Sequence, residues 1–286
     1  LATLGNPKET IAILQKYNFN FQKKFGQNFL IDTHVLDKIV EAAEITDEDT
    51  VLEIGPGIGT LTQYLCENAK QVIAVEIDKN LIPILQNDTL SAYSNVKIIN
   101  EDILKLDISK LCEEAGAKKL KIVANLPYYI TTPIIMGILE KHAPVESITV
   151  MVQREVAMRM QAGPGSKDYG ALSLAVTYYA DATLEANVPP NCFMPRPNVG
   201  SAVIRLKLHD EMPVKPRDEQ LMFALIKASF AQRRKTLANG IKNSPELSFE
   251  REDVCRALES LGFDEDVRGE KLTLADFATL SDIIKN

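Results

Sequence analysis

The stretch Thr50-Val51-Leu52-Glu53-Ile54-Gly55-Pro56-Gly57-Ile58-Gly59-Thr60 decides the fold. A β-rich strand runs into three glycines at alternate positions, and a helix is predicted from Thr60 to Cys66. Glycines let backbone N–H groups come close to a ligand, and the helix N-terminus behind them favours its negative end. A dinucleotide fingerprint, G-x-G-x-x-G, would need its third glycine where Thr60 stands. The order here is G-x-G-x-G, with an acid, Glu53, ahead of the loop. A tight glycine turn without a ligand is the plain alternative.

Three further apolar runs end in the same manner. Val72-Ile73-Ala74-Val75 leads into Glu76-Ile77-Asp78, and Val96-Lys97-Ile98-Ile99 into Asn100-Glu101-Asp102. Ile122-Val123-Ala124 leads into Asn125-Leu126-Pro127-Tyr128-Tyr129. Such runs read as buried parallel strands, and open α/β sheets place ligands at the carboxyl ends of their strands. A carboxylate at the Glu76 position accepts from ribose hydroxyls, and Asp102 is placed to accept from the amino group of an adenine. Four successive strand ends carrying Gly, Glu, Asp and Asn are hard to obtain from packing alone.

The fourth end carries the most chemistry. Pro127 fixes its own φ and biases Leu126 toward an extended conformation, so the carbonyls there are held. The turn then presents an amide oxygen, a fixed carbonyl and a flat ring, a set suited to the amino group of a planar heterocycle. The bland alternative is a strand-to-helix loop whose Asn caps a helix and whose tyrosines pack.

Around this sheet the pattern predicts helices at Pro7–Tyr17, capped by Asn6, and at Asp32–Glu44, Thr132–Lys141, Gln153–Met160 and Leu172–Tyr179. A fifth strand is expected at 147–153, and an antiparallel pair at 182–188 and 199–208 closes the sheet. Gly163–Gly170 reads as a loop. Between the last strands, Phe193 stands alone in Asn191-Cys192-Phe193-Met194-Pro195-Arg196-Pro197, either a stacking platform or the plug of its own loop. Residues 211–217 read as a linker, and helices follow at 218–230, 233–241, 249–261 and 274–284. The expected domains are therefore 1–210 and a helical 211–286.

Composition narrows the class. The chain has 286 residues, 45% hydrophobic and 25% charged, enough for one large and one smaller domain. It has no run of about 18 apolar residues and no basic-then-apolar leader, so neither a membrane span nor secretion is expected. Cys66, Cys112, Cys192 and Cys255 are far apart and the three histidines are scattered, which argues against disulfides and zinc and for a reducing cytoplasm. The net charge of −7 is unevenly spread. Residues 10–31, 187–209 and 220–245 contain no acid but hold Lys16, Lys23 and Lys24, then Arg196, Arg205 and Lys207, then Lys227, Arg233, Arg234, Lys235 and Lys242. Acid-free basic windows on an acidic chain point to one positive face, unless they lie on different faces.

Together these motifs resemble the ribosomal RNA adenine dimethyltransferases, in the small-subunit (KsgA-type) branch, along nearly the whole chain. Phe25-Gly26-Gln27-Asn28-Phe29-Leu30, the glycine loop, Val75–Asp78, Asn125–Tyr128, Gly163–Gly170, Phe193–Pro197 with Val199 and Ser201, and Gln232–Lys235 carry the resemblance. It is similar, more distantly, to the large-subunit enzymes that confer macrolide resistance. The resemblance implies an α/β, Rossmann-like S-adenosylmethionine methyltransferase domain with a smaller C-terminal α-helical domain. It implies S-adenosylmethionine bound by Asn28, Leu30, Gly55, Gly57, Glu76, Asp102 and Asn125, and catalysis by Asn125, Leu126, Pro127, Tyr128 and Phe193. RNA contacts are expected from Lys23, Lys24, Arg154, Arg196, Arg233, Arg234 and Lys235. The implied substrate is a pair of adjacent adenines in a 3′-terminal hairpin loop of 16S ribosomal RNA, in the small (30S) subunit. A monomer without metal, with a part in subunit biogenesis, completes the expectation. The rival reading is a non-catalytic assembly factor, which need not keep the cofactor residues and Asn-Leu-Pro-Tyr intact.

Neutralising Arg233, Arg234 and Lys235 together should weaken RNA binding and lower its log–log salt slope by roughly two to three units. Filter binding across a salt series checks this. An unchanged slope would assign the cluster to a solvated face.

Overall fold

The computed structural model describes residues 3–284 apart from residues 20, 23–25 and 233. In chain order its first elements are α1 (Pro7–Lys16), β1 (Phe29–Leu30), α2 (Thr33–Ala42), β2 (Thr50–Ile54), α3 (Thr60–Asn68), β3 (Gln71–Glu76) and the short α4 (Ile82–Ile84). Next come β4 (Val96–Asn100), α5 (Ile108–Glu114), β5 (Leu120–Asn125), α6 (Thr131–Leu139), β6 (Val145–Gln153), α7 (Arg154–Gln161) and α8 (Ala171–Tyr179). β7 (Ala180–Val188), β8 (Phe193–Met194), β9 (Ser201–Leu208), α9 (Glu219–Ala231), α10 (Leu237–Lys242), α11 (Arg251–Ser260) and α12 (Leu274–Ile284) complete the described chain.

Seven strands form one sheet in the order β4-β3-β2-β5-β6-β9-β7. β2 pairs in parallel with β3 and β5, β3 with β4, and β5 with β6, whereas β9 runs antiparallel to β6. The chain thus winds outward one way from β2 to β4 and the other way from β5 to β6. The strand order reverses between β2 and β5, and a crevice opens at their carboxyl ends. β2 is buried at every position, as its unbroken apolar reading requires. Outside the main sheet, β1 and β8 form an antiparallel ribbon with Phe29 opposite Met194 and Leu30 opposite Phe193.

Local chemistry sets the ends of the helices. Asn6 accepts from the Lys8 N–H with Pro7 in the first turn, and Asp32 accepts from the Val35 N–H. Two helices have no counterpart in the sequence expectations: α4, extended by a π-helical turn at Leu85–Thr89, and α5, whose cap Asp107 accepts from Ser109 and Lys110. The helix expected from Arg233 begins instead at Leu237. The Thr236 hydroxyl accepts from the Asn239 N–H there, so Arg234 and Lys235 precede the helix.

Two compact units emerge: Leu1–Ala157 with Thr183–Leu208, and Met158–Ala182 with His209–Asn286. The expected boundary at 210 lies close to the last crossing, between Leu208 and His209, but Met158–Ala182 belongs with the tail helices. The reason is α8, which is buried on nearly every side. Within that unit the Tyr178 ring stands edge-on to Phe223 at 5.3 Å, and the Tyr178 and Tyr179 hydroxyls both donate to Glu219. Gly240 lets α10 approach α9, since a Cβ there would stand 2.9 Å from the Ala228 carbonyl oxygen.

At the amino end of β5, Lys121 is a buried cation, with its side chain 8% exposed. Its ammonium donates to the Glu44 carbonyl at 2.6 Å and to Asp49 Oδ2 at 2.9 Å, pinning the turn after α2 to the sheet. Glu44 is also held by a bidentate pair with Arg205 of β9. Replacing Lys121 with Met removes the charge and leaves these acceptors without it. The loss should be about 3 kcal/mol of stability, read as a lower urea midpoint at constant slope. A midpoint equal to the parent's would mean that water replaces the ammonium freely.

Candidate active site

A cleft of about 1050 Å³, mouth included, lies at the carboxyl ends of the central strands. Its wall brings together Asn28, Leu30, Gly55, Gly57, Glu76, Asp102, Asn125, Leu126, Pro127 and Tyr128, all expected from the sequence. It also holds Glu53, Gln27, Ile77 and Tyr129, which carried no site assignment.

The glycine loop works through backbone shape. Gly55, Gly57 and Gly59 have φ of 71°, 61° and 90°, the left-handed region that side chains avoid. A Cβ on Gly57 would stand 2.9 Å from the Phe29 ring, whereas one on Gly55 would meet nothing within 4 Å. The space beside Gly55 is the cleft itself, open to a ligand that needs close backbone approach.

Glu76 braces this loop. Its Oε2 accepts from the Gly57 N–H at 3.0 Å and its Oε1 from the Asp78 N–H at 2.8 Å. Each oxygen keeps a lone pair for a ligand hydroxyl. Burial pushes the carboxyl up to about 7 against those backbone donors, which favour the charged form. Glu53 is more extreme: it is 1% exposed, burial pushes it up to about 8, and its Oε2 has no hydrogen-bond partner. A buried, unpartnered carboxyl oxygen on a cleft wall fits a ligand that brings a polar group to pair with it. Asp102 uses Oδ1 to accept from the Leu104 N–H at 3.0 Å, capping a short 3-10 turn.

The Asn125 amide is oriented by one bond. Its Nδ2 donates to the Asn28 carbonyl at 3.0 Å. A carbonyl can only accept, so the amide nitrogen must face it and Oδ1 must face the other way. Leu126 is fixed by its N–H, which donates to the Met151 carbonyl at 3.1 Å. The Pro127 carbonyl accepts from the Ile130 N–H at 3.2 Å and the Thr131 hydroxyl at 3.1 Å. Tyr128 is half-buried and its hydroxyl meets Ser201 Oγ at 2.6 Å. Tyr129 is 59% exposed and packs over Gly26.

Phe193 is not on the cleft wall. It is 3% exposed and packs in a core cluster with Leu30, Val35 and Leu36, so it is the plug of its loop rather than a platform. The reason is the ribbon: pairing opposite Leu30 turns the ring inward. Arg154 and Arg196 are exposed in the first unit, and Arg234 and Lys235 in the second. Lys23, Lys24 and Arg233 lie outside the described residues. Among the described residues no cluster of His, Cys, Asp or Glu is placed to hold a metal, and no helix is long and apolar enough to cross a membrane.

A family model described as ribosomal RNA adenine dimethylase matches residues 18–286. The chain belongs to the ribosomal RNA adenine dimethylase family. As a member it is a methyltransferase that dimethylates adenine in ribosomal RNA. It is similar to the ribosomal RNA small subunit methyltransferase A of Lachnoclostridium phytofermentans, 70% identical over 99% of this chain and 98% of that protein. Its counterpart of the same description from Alkaliphilus metalliredigens is 52% identical over 96% of both chains. Among solved structures, a dimethyladenosine transferase from Plasmodium falciparum superposes with a TM-score of 0.73 at 29% identity, covering 88% of this chain and 95% of that one. The 23S rRNA methyltransferase ErmE shares the fold, with a TM-score of 0.67 at 24% identity, over 90% of this chain and all of that one.

The raised carboxyls make a pH prediction for the family member without ligand. A carboxyl lifted from 4.5 to about 8 on folding favours the folded state while protonated. That contribution is whole below pH 4.5 and is lost as pH rises through about 8. Glu53→Gln keeps the shape and removes the titration, so it should stabilise the protein at pH 8 by on the order of 4 kcal/mol and do nothing at pH 4.5. Melting curves at the two pH values check this. Equal shifts at both would show that burial does not hold Glu53 protonated.

Proposed function

We propose that the methyl donor is S-adenosylmethionine and that the target is the exocyclic amine of two adjacent adenines in a 3′-terminal hairpin loop of 16S ribosomal RNA. In this reading the enzyme works as a monomer on the small ribosomal subunit in the cytoplasm, with a part in subunit biogenesis. The observation that carries it is the orientation of Asn125, whose free amide oxygen sits on the wall that also holds the nucleoside-type acceptors Glu76 and Asp102. The 70% identical relative, described as a small subunit enzyme, supports the choice of subunit.

Bound S-adenosylmethionine supplies a methyl group on a sulfonium, already activated for transfer. The chain's residues hold and orient. Gly55 and Gly57 admit the donor to the backbone, and Glu76 accepts from its ribose hydroxyls. Asp102 accepts from its adenine amine, and Asn28 and Leu30 close the near wall. For the target, the amine lone pair is delocalised into the ring and has to be recovered. Asn125 Oδ1 and the Leu126 carbonyl accept its two hydrogens, which favours a pyramidal nitrogen and stabilises the positive charge that develops there. Both acceptors are fixed before the substrate arrives, so little reorganisation is needed. Tyr128 offers one face for stacking the extruded base. Arg154, Arg196, Arg234 and Lys235, with Lys23, Lys24 and Arg233, meet the RNA backbone, and the tail unit serves subunit binding.

Primer extension on unmethylated small and large ribosomal subunits treated with the protein and S-adenosylmethionine tests the substrate; stops confined to large-subunit RNA would refute it. Asn125→Ala should lower turnover by about 10²–10³-fold with a smaller effect on RNA binding. Asn125→Asp keeps an acceptor of nearly the same shape and should retain partial activity. Parental turnover in Asn125→Ala at saturating donor would make Asn125 an ordinary loop residue.

A further inference from the structure

We propose that Ser201 is a positioning residue for methyl transfer: its hydroxyl holds the Tyr128 ring in the plane on which the target adenine stacks, and the Tyr128 hydroxyl takes no part in the chemistry. The inference rests on the stacking role given to Tyr128 above.

Three observations lead to it. The Tyr128 hydroxyl and Ser201 Oγ stand 2.6 Å apart, at the short end for a hydroxyl pair. Ser201 is buried and is absent from the cleft wall, so Tyr128 is its link to the site. Its placement is rigid: it opens β9 opposite Gln153, the last residue of β6, at the end of the sheet where Asn125 closes β5. The near end of Tyr128 is set by the Pro127 turn, with its doubly bonded carbonyl. Ser201 fixes the far end. A ring held at both ends presents its face without paying rotational freedom when the base arrives.

The same bond occupies the phenol. Its partner is another neutral hydroxyl, and burial makes ionisation harder, so the phenol stays neutral and committed to Ser201. Without Ser201 a half-buried hydroxyl would have to reach water, and the ring would tilt to let it.

The experiment is a double-mutant cycle on small-subunit methylation, with donor affinity and melting temperature measured for each variant. Ser201→Ala and Tyr128→Phe should each lower kcat/KM by about fivefold to tenfold, the scale of one hydrogen bond. Donor affinity should not change, the double variant should be no worse than either single one, and Ser201→Thr should restore activity. With 2-aminopurine in place of the target adenine, Ser201→Ala should show weaker stacking quench, which lost stability alone would not produce. Parental kcat and KM in Ser201→Ala, with Tyr128→Ala inactive, would overturn the role of Ser201 and leave the stacking reading standing. Losses that multiply in the double variant would overturn it too, because the phenol would then act on its own. Parental activity in Tyr128→Ala would remove the stacking reading and the inference together.

Discussion

The bond from the Asn125 amide to the Asn28 carbonyl joins two segments 97 residues apart, and the site depends on it. Asn28 belongs to the segment ahead of β1, and Asn125 ends β5. One hydrogen bond therefore closes the near wall of the cleft and sets which atom of the amide faces inward. Its geometry rests in turn on the reversal of strand order between β2 and β5, which leaves the crevice where both segments can meet. A Gln in place of Asn125 would have the same chemistry and one more methylene, enough to lose the register.

The cleft carries an energetic cost that the rest of the sheet offsets. Glu53 and Glu76 are buried carboxyls on neighbouring strands, Glu76 two positions beyond the residue opposite Glu53, and each is raised by desolvation. Neither position would be chosen for stability alone. The opposite end of the sheet is built the other way, with Lys121 and Arg205 paired to Asp49 and Glu44. The unpartnered oxygen of Glu53 thus lies on the cleft wall, where a ligand can supply a partner, whereas the charges of Lys121 and Arg205 are paired within the chain.

The ribbon of β1 and β8 explains why a lone Phe between prolines is not a platform. Phe193 sits opposite Leu30, and that pairing ties the loop before β9 to the segment that carries Asn28. Its contribution to the site is mechanical, through Leu30 on the cleft wall. The exposed aromatic of the site is Tyr129, which packs over Gly26, a glycine whose φ of 56° lies in the left-handed region.

Local pattern determined much of this protein. Apolar runs of strand length, the glycine spacing and the acids or amide at each strand end gave the parallel core and its ligand edge, because a fully buried strand and a left-handed loop leave few residue choices. The Asn6 cap was legible for the same reason, since its hydrogen bond reaches only two residues, whereas Asp32, read as the first helical residue, is the cap of α2. What depends on distant partners was not legible. The inward turn of Phe193, the burial of Lys121, the Ser201 partner of Tyr128 and the unpartnered oxygen of Glu53 are each set by a strand or helix far along the chain. So is the alliance of α8 with the tail helices, since an all-round apolar helix states that it is buried but not against what. Periodicity records which side chains leave water; only the tertiary structure decides which of them meet.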